Sequence, residues 1–150
     1  MERVAIFPGS FDPFTRGHHD IVLRSLHLFD QVVIAIGHNS QKKRYFDVGE
    51  MQQHIQKTYQ DTKRVRVTVY DELTANLAKK YEAKFLIRGL RNTSDFEYEN
   101  SISQINKYLN QELETVFLIT RPDLSSVSSS LIREIHKYGG DVSPFLPYTL

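Results

Sequence analysis

Val4-Ala-Ile-Phe-Pro-Gly-Ser-Phe-Asp-Pro-Phe-Thr-Arg-Gly-His18 is the stretch around which the rest of the chain organises. Val4 to Phe7 form a short unbroken apolar run, the pattern of a strand buried on both faces. Pro8, Gly9, Pro13 and Gly17 then interrupt regular structure and let backbone approach a ligand closely, and a helix is expected to start near Gly17. Helix N-termini carry unpaired N–H groups and a partial positive charge, so a polyphosphate beside His18 meets backbone and side-chain donors together. Strand, loop and helix in this order separate the stretch from a tight turn that carries a surface histidine.

Outward from this stretch the chain alternates between two periods. The first helix is expected over about Gly17 to Phe29, and Gln31 to Gly37 form a second buried strand closed by glycine. Lys42, Lys43 and Arg44 sit in the loop that follows, where three adjacent cations repel one another and favour mobility. Asp47 is placed to cap a helix reaching about Tyr59, with Glu50 as its capping-box partner. Val65, Val67 and Val69 alternate with Arg66 and Thr68, which marks a strand with one apolar face at a sheet edge. Then come a short helix (Thr74 to Glu82), a strand (Phe85 to Ile87), a longer helix (Ser94 to Leu109), a strand (Thr115 to Ile119) and a helix (Ser128 to Tyr138) stopped by Gly139 and Gly140.

Strands alternating with helices imply an α/β fold, a five-stranded parallel sheet built from right-handed βαβ units with helices on both faces. In such open sheets the ligand site lies beyond the carboxyl ends of the strands, where strand order reverses. The loops at those ends carry Ser10 and His18, Lys42, Thr74, Arg88 with Arg91, and Ser128 to Ser130, so polar and basic groups gather on one rim.

Composition narrows the function classes. With 150 residues, 40% of them hydrophobic, nine Phe and eight Tyr, the chain supports one core and a single domain over residues 1–150. The absence of cysteine excludes a disulfide framework, thiolate metal ligation and a cysteine nucleophile, and suits a reducing cytoplasm. No apolar run approaches the ~20 residues of a membrane span, and Glu2-Arg3 lead into the first strand with no signal-peptide pattern. A cytoplasmic protein without membrane partners is expected. A formal charge of +1 gives no bulk attraction to nucleic acid.

His18 and His19 point about 100° apart on a helix, so both cannot face one ligand. His18 lies four residues before Val22, which with Leu26 and Phe29 forms the inward stripe. It is therefore the ligand-facing donor, and His19 is solvated or at an interface. His27, His38, His54 and His136 lack neighbours at metal-ligand spacing, and no resident metal site is expected. Arg88-Gly-Leu-Arg91 follows a buried strand, and two guanidiniums with a glycine that permits a sharp turn form a fork suited to phosphate. Pairing with Asp95, Glu97 or Glu99 is the alternative. Ser128, Ser129 and Ser130 either cap the last helix or offer a second anion site at its N-terminus. None of these groups is a general base or covalent nucleophile. Donors and cations alone suit phosphoryl or nucleotidyl transfer, whose attacking phosphate is already an anion.

Pro8-Gly-Ser-Phe-Asp-Pro13, Thr15-Arg-Gly-His18, Leu86-Ile-Arg-Gly-Leu-Arg91, Asp95-Phe-Glu-Tyr-Glu99 and Val127-Ser-Ser-Ser130 together closely resemble the bacterial phosphopantetheine adenylyltransferases, over almost the whole chain. Thr-x-Gly-His alone marks the wider nucleotidyltransferase superfamily with its dinucleotide-binding-like (Rossmann-like) fold. The resemblance implies transfer of AMP from ATP to 4′-phosphopantetheine, giving dephospho-coenzyme A and pyrophosphate. It implies that His18 stabilises the transition state at the α-phosphate, with Lys42 and Arg91 also in the catalytic set. Ser10 would contact both substrates; Lys42, Thr74 and Arg88 would hold phosphopantetheine. ATP would be held by Phe11, Gly89, Leu90, Arg91 and Glu99, and by Leu124, Ser125, Ser126, Val127, Ser128, Ser129 and Ser130. It further implies Mg²⁺ with the nucleotide, a homohexamer, and coenzyme A as feedback inhibitor.

The chain departs from the family pattern at three places. Ser10 stands where threonine is common, Thr74 replaces a larger apolar residue, and Lys42-Lys-Arg-Tyr-Phe lacks the usual proline after the lysines. Two other readings compete. One is a sister nucleotidyltransferase acting on nicotinate mononucleotide or glycerol 3-phosphate; the other is a non-catalytic nucleotide sensor, which has no use for groups aimed at a developing charge.

Overall fold

A computed structural model describes all residues, Met1 to Leu150. Five parallel strands, β1 (Val4–Gly9), β2 (Gln31–Gly37), β3 (Val65–Tyr70), β4 (Phe85–Leu90) and β5 (Glu114–Ile119), form one sheet in the order β3-β2-β1-β4-β5. The helices between them are α1 (Arg16–Ser25), α2 (Val48–Thr58), α3 (Thr74–Lys80) and α4 (Thr93–Leu109), and α5 (Ser129–Lys137) follows β5. The expected α/β architecture is present, and β3 is an edge strand as its one-sided apolar pattern requires.

The continuous apolar runs of β1 and β2 are buried on both faces because helices cover both. Ala5, Phe7, Val32, Ile34 and Ile36 meet Ile21 and Val22 of α1 and Met51 and Ile55 of α2 on one side. Val4, Ile6, Val33 and Ala35 meet Ala75, Leu77 and Ala78 of α3 on the other. No helix is long and apolar enough to cross a membrane.

Two boundaries differ from the sequence expectation in ways that matter. Helix α1 ends at Ser25 rather than near Phe29. The Ser25 hydroxyl bonds back to the Ile21 carbonyl at 2.7 Å, and the Arg64 guanidinium takes the carbonyls of Leu26 and Phe29, stabilising a turn instead of another helical turn. Strand β1 continues through Pro8 and Gly9, which were expected in the loop. These residues pair only with β2, up to Gly9 opposite Ile36, whereas the pairing of β1 with β4 stops at Ile6 opposite Leu86. The Pro8 carbonyl faces Arg88 of β4, so its missing N–H lies on that same side, where the ladder ends. Beyond Ile6 the two central strands part, and the crevice at the reversal of strand order opens between them.

Residues 11–15 are buried although they belong to no regular element. A buried loop must have its backbone polar groups paired. Here side chains from distant elements do this: Arg44 takes the carbonyls of Ser10 and Phe11, Arg133 that of Asp12, Ser129 that of Pro13 and Tyr148 that of Phe14. The tail reaches this loop because Val142 and Leu146 pack on Ile132 of α5, which sets Tyr148 against Met51 and stacks it on His54 at 4.8 Å. Tyr148→Phe keeps the ring and leaves the Phe14 carbonyl without its donor. It is expected to destabilise the fold by about 1–3 kcal/mol, seen as a lower urea midpoint with an unchanged m value.

Candidate active site

Thr15 is the N-cap of α1, and its hydroxyl accepts the His18 N–H at 3.3 Å. His18 answers with Nδ1, which accepts the Thr15 backbone N–H at 2.9 Å. This is a capping box with histidine in the place that Glu or Gln usually fills. A backbone N–H can only donate, so Nδ1 carries a lone pair and the proton of the neutral ring sits on Nε2. His18 thus presents a single N–H donor, and the cap fixes which one.

The ring packs among Phe7, Phe11 and Phe14, with centroids 6.1, 5.0 and 5.4 Å away, and keeps one edge on the cleft. Phe11 holds this position with a φ of 45°, its ring laid so close to Gly9 that a Cβ there would come within 3.0 Å of it. Burial, then the charges of Arg88 and Arg91, pull the His18 pKa down to about 3. The imidazole is therefore neutral across the physiological range. His19, expected to be solvated or at an interface, is half-buried: its Nδ1 is 2.7 Å from the Tyr59 hydroxyl, and burial lowers its pKa, with Asp20 opposing and Arg16 adding.

Arg88, Gly89 and Leu90 lie inside β4, opposite Phe117, Leu118 and Ile119, rather than in a loop. Gly89 makes no turn there; its lack of a side chain admits Ile21, whose Cγ1 would be 3.3 Å from a Cβ. The Arg88 fork grips both oxygens of buried Glu99 at 2.9 and 2.6 Å and also donates to the Pro8 carbonyl across the crevice. Arg91 pairs with Asp95 at 3.2 Å. Both guanidiniums are thus held by α4 carboxylates at the edge of the cleft, and both face it.

Three hollows meet at Ser10. The first, about 290 Å³, is lined by the N-termini of α1 and α5, including His18 and Ser128 to Ser130, together with Phe11, Gly89, Arg91, Leu124 and Val127. The second, about 270 Å³, lies across the β1 tip and is lined by Tyr70, Thr74, Ile102, Ser103 and Asn106. These two share Pro8, Gly9, Ser10, Arg88 and Glu99 as a common wall. The third is a wide open depression of about 1510 Å³ that carries Lys42, Lys43, Arg133 and Lys137. Leu90, Ser125 and Ser126 line none of them.

The serines divide their work. Ser128 caps α5 through the Leu131 N–H at 3.2 Å, Ser129 donates to the Pro13 carbonyl at 2.8 Å, and Ser130 accepts from Arg133. The Thr74 hydroxyl lies 2.9 Å from that of Tyr70, so its side chain is on the wall of the second hollow. Of the loop cations only Lys42 and Lys43 are free of ion pairs, while Arg44 is engaged deep in the structure. The sequence reading passed over Thr15, Arg44, Tyr70 and Arg133. Only Thr15 carried a local signal, the three-residue spacing of a capping box; the others are assembled by tertiary contact. No group of three His, Cys, Asp or Glu side chains is placed to hold a metal.

The match to known proteins extends over the whole chain. A cytidylyltransferase-like family model fits residues 6–135. The phosphopantetheine adenylyltransferase of Cytophaga hutchinsonii is 63% identical over 150 residues, all of both chains. That of Phocaeicola vulgatus is 48% identical over 145 residues, 97% of this chain and 95% of its own. The chain belongs to the phosphopantetheine adenylyltransferases. It is a nucleotidyltransferase enzyme, and its fold recurs in a bifunctional NMN adenylyltransferase/ADP ribose pyrophosphatase from Francisella tularensis, with a TM-score of 0.77 at 15% identity over 98% of this chain and 45% of the other.

The neutral state of His18 has a consequence for stability. Its folded pKa lies below the unfolded value of 6.5, so below that pH the unfolded chain takes up a proton that the fold refuses, and stability falls as pH drops. His18→Gln removes this group. The difference in unfolding free energy between wild type and variant is expected to shift against wild type between pH 6.5 and 4, at a slope approaching about 1.4 kcal/mol per pH unit. Parallel urea titrations at each pH measure it, and a flat difference would mean that His18 protonates freely in the fold.

Proposed function

We propose that the enzyme transfers the adenylyl group of ATP to 4′-phosphopantetheine, with the nucleotide in the first hollow and the acceptor in the second. The observation that carries this reading is the shared wall: two cavities of similar size touch along Pro8 to Ser10, Arg88 and Glu99, so substrates held in them meet beside His18. An oxygen of the acceptor phosphate attacks the α-phosphorus. A new P–O bond forms, the bond to the bridging oxygen breaks, and pyrophosphate leaves with that electron pair, giving dephospho-coenzyme A. The attacking phosphate is already an anion, so the site has to supply position and charge stabilisation rather than a base.

The Nε2–H of His18 is aimed at the α-phosphate oxygens, where negative charge builds. Arg91, Glu99, Phe11, Gly89 and the N-terminus of α5 hold ATP, with Leu124 and Val127 at its flank. Ser10 reaches both substrates, and Lys42, Thr74 and Arg88 hold phosphopantetheine. Mg²⁺ would come with the nucleotide and would supply charge neutralisation at the leaving phosphates, while Arg91 and the N-terminus of α5 hold the nucleotide itself. Coenzyme A, which contains both halves of the product, occupies the same two hollows as a feedback inhibitor. The enzyme works in the cytoplasm.

Assembly as a homohexamer is supported by the large apolar side chains that α4 and β5 leave exposed, Phe96, Tyr98, Ile105, Tyr108 and Ile119. Light scattering after size exclusion is expected to give six times the 17.5 kDa chain mass. A monomeric mass would overturn the assembly and leave the chemistry standing.

Pyrophosphate release from MgATP, measured in parallel with phosphopantetheine, nicotinate mononucleotide and glycerol 3-phosphate, is expected only with the first. In that assay His18→Ala is expected to lower kcat on the order of 100- to 1,000-fold with the ATP KM changed by a few-fold at most, because a donor aimed at developing charge acts mainly in the transition state. A raised KM with unchanged kcat would make His18 a ground-state binder.

A further inference from the structure

The loop that carries Lys42 is tied to the loop that carries Ser10 by a reciprocal clasp. From one side Arg44 donates to the carbonyls of Ser10 and Phe11, the latter at 3.0 Å, and to the carbonyl of Phe46 at 3.1 Å. From the other side the Asp12 carboxylate accepts the backbone N–H groups of Tyr45 at 2.9 Å and Phe46 at 2.8 Å. The two side chains lie 3.8 Å apart and are 11% and 12% exposed. Beyond the clasp the Tyr45 hydroxyl is 2.7 Å from His136 Nδ1, and Arg133 holds the Asp12 carbonyl at 2.7 Å, so α5 backs both segments.

Three adjacent cations in a loop ought to spread into solvent, and Lys42 and Lys43 do. Arg44 turns inward because the carbonyls of a buried loop present a concentrated negative edge and Asp12 supplies the compensating charge. Its planar fork spreads donors on three nitrogens over the Phe46, Ser10 and Phe11 carbonyls, a span that the single nitrogen of a lysine does not match. The clasp supplies by hydrogen bonding the stiffness that a proline's fixed φ would supply by covalent geometry.

We infer that Arg44 is a positioning residue for the acceptor: it locks the Ser10 and Lys42 segments into one unit, so that both meet the acceptor phosphate where the three hollows join. It touches no substrate. This rests on the proposed reading of the second hollow and of Lys42 as acceptor contacts.

Arg44→Gln, Arg44→Lys, Lys42→Ala and the two double variants with Lys42→Ala are assayed for pyrophosphate release with MgATP and phosphopantetheine varied separately. Arg44→Gln is expected to raise the phosphopantetheine KM on the order of 10- to 100-fold, since a displacement near 1 Å has effects of this size, and the ATP KM by a clearly smaller factor, because the strip that carries Ser10 and Phe11 stays anchored by Ser129, Arg133 and Tyr148. Arg44→Lys is expected to recover only a small part. The deciding measurement is the cycle: once Lys42 is alanine, the further loss on Arg44→Gln is expected to shrink to the part carried by Ser10. Hydrogen exchange of segment 41–46 is expected to speed up in Arg44→Gln while the protection of β1 and β2 stays as in wild type. Additive losses in the cycle, equal rises in both KM values, or unchanged exchange of segment 41–46 overturn the proposal. A wild-type enzyme that releases no pyrophosphate with phosphopantetheine overturns the functional reading instead, and the exchange experiment still decides whether the clasp holds the loop.

Discussion

Five consecutive carbonyls, Ser10 to Phe14, depend on four side chains delivered from three distant parts of the chain, and the site depends on that pairing. A loop buried at a sheet's carboxyl end has no ladder or helix to satisfy its backbone, and each orphaned carbonyl there would cost about 1–3 kcal/mol. The chain answers with Arg44, Arg133, Ser129 and Tyr148, and in doing so ties the loop after β2, the last helix and the tail to one strip of backbone. The strip in turn sets Thr15, and Thr15 sets the histidine. A site built this way is rigid because its supports are numerous and independent, and it is assembled only when the whole fold is.

The electrostatics follow from the same arrangement. Phe7, Phe11 and Phe14 exclude water from His18, and two guanidiniums face it, so the ring stays neutral and its one proton is fixed on the side away from the backbone. A charged imidazolium would bind phosphate more tightly in the ground state. A neutral donor in a dry pocket, aimed where charge increases, discriminates more in favour of the transition state.

The order of elements, the parallel sheet, the edge position of β3 and the rim of polar loops were legible because each rests on local pattern: period-two alternation, apolar runs and glycine stops. The boundaries at Pro8, Gly9 and Arg88 to Leu90 were not. Proline and glycine signal a loop only when both sides of a strand must be paired, and here β1 has lost its β4 neighbour past Ile6, so a strand can carry a proline without penalty. Arg44 was illegible for a similar reason. Its neighbours in sequence describe a solvated charge run, whereas its partners, Ser10, Phe11 and Asp12, stand more than thirty residues away.

The two arginines of the cleft present the remaining physical question, because each is already paired in the free enzyme, Arg88 with Glu99 and Arg91 with Asp95. Such pairing looks wasteful for groups proposed to hold phosphates. It has two effects that favour turnover. The carboxylates keep the guanidiniums in place without substrate, so little side-chain entropy is lost on binding. They also offset part of the positive potential that would otherwise make the cleft a tight trap for pyrophosphate and slow its release. Bound phosphates weaken the repulsion that Arg88 and Arg91 exert on a protonated His18, but burial, the larger cause of its lowered pKa, persists with substrate in place. In the free enzyme the histidine is therefore a neutral donor, and since anionic phosphates beside it pull its pKa back up, the two paired arginines oppose that pull.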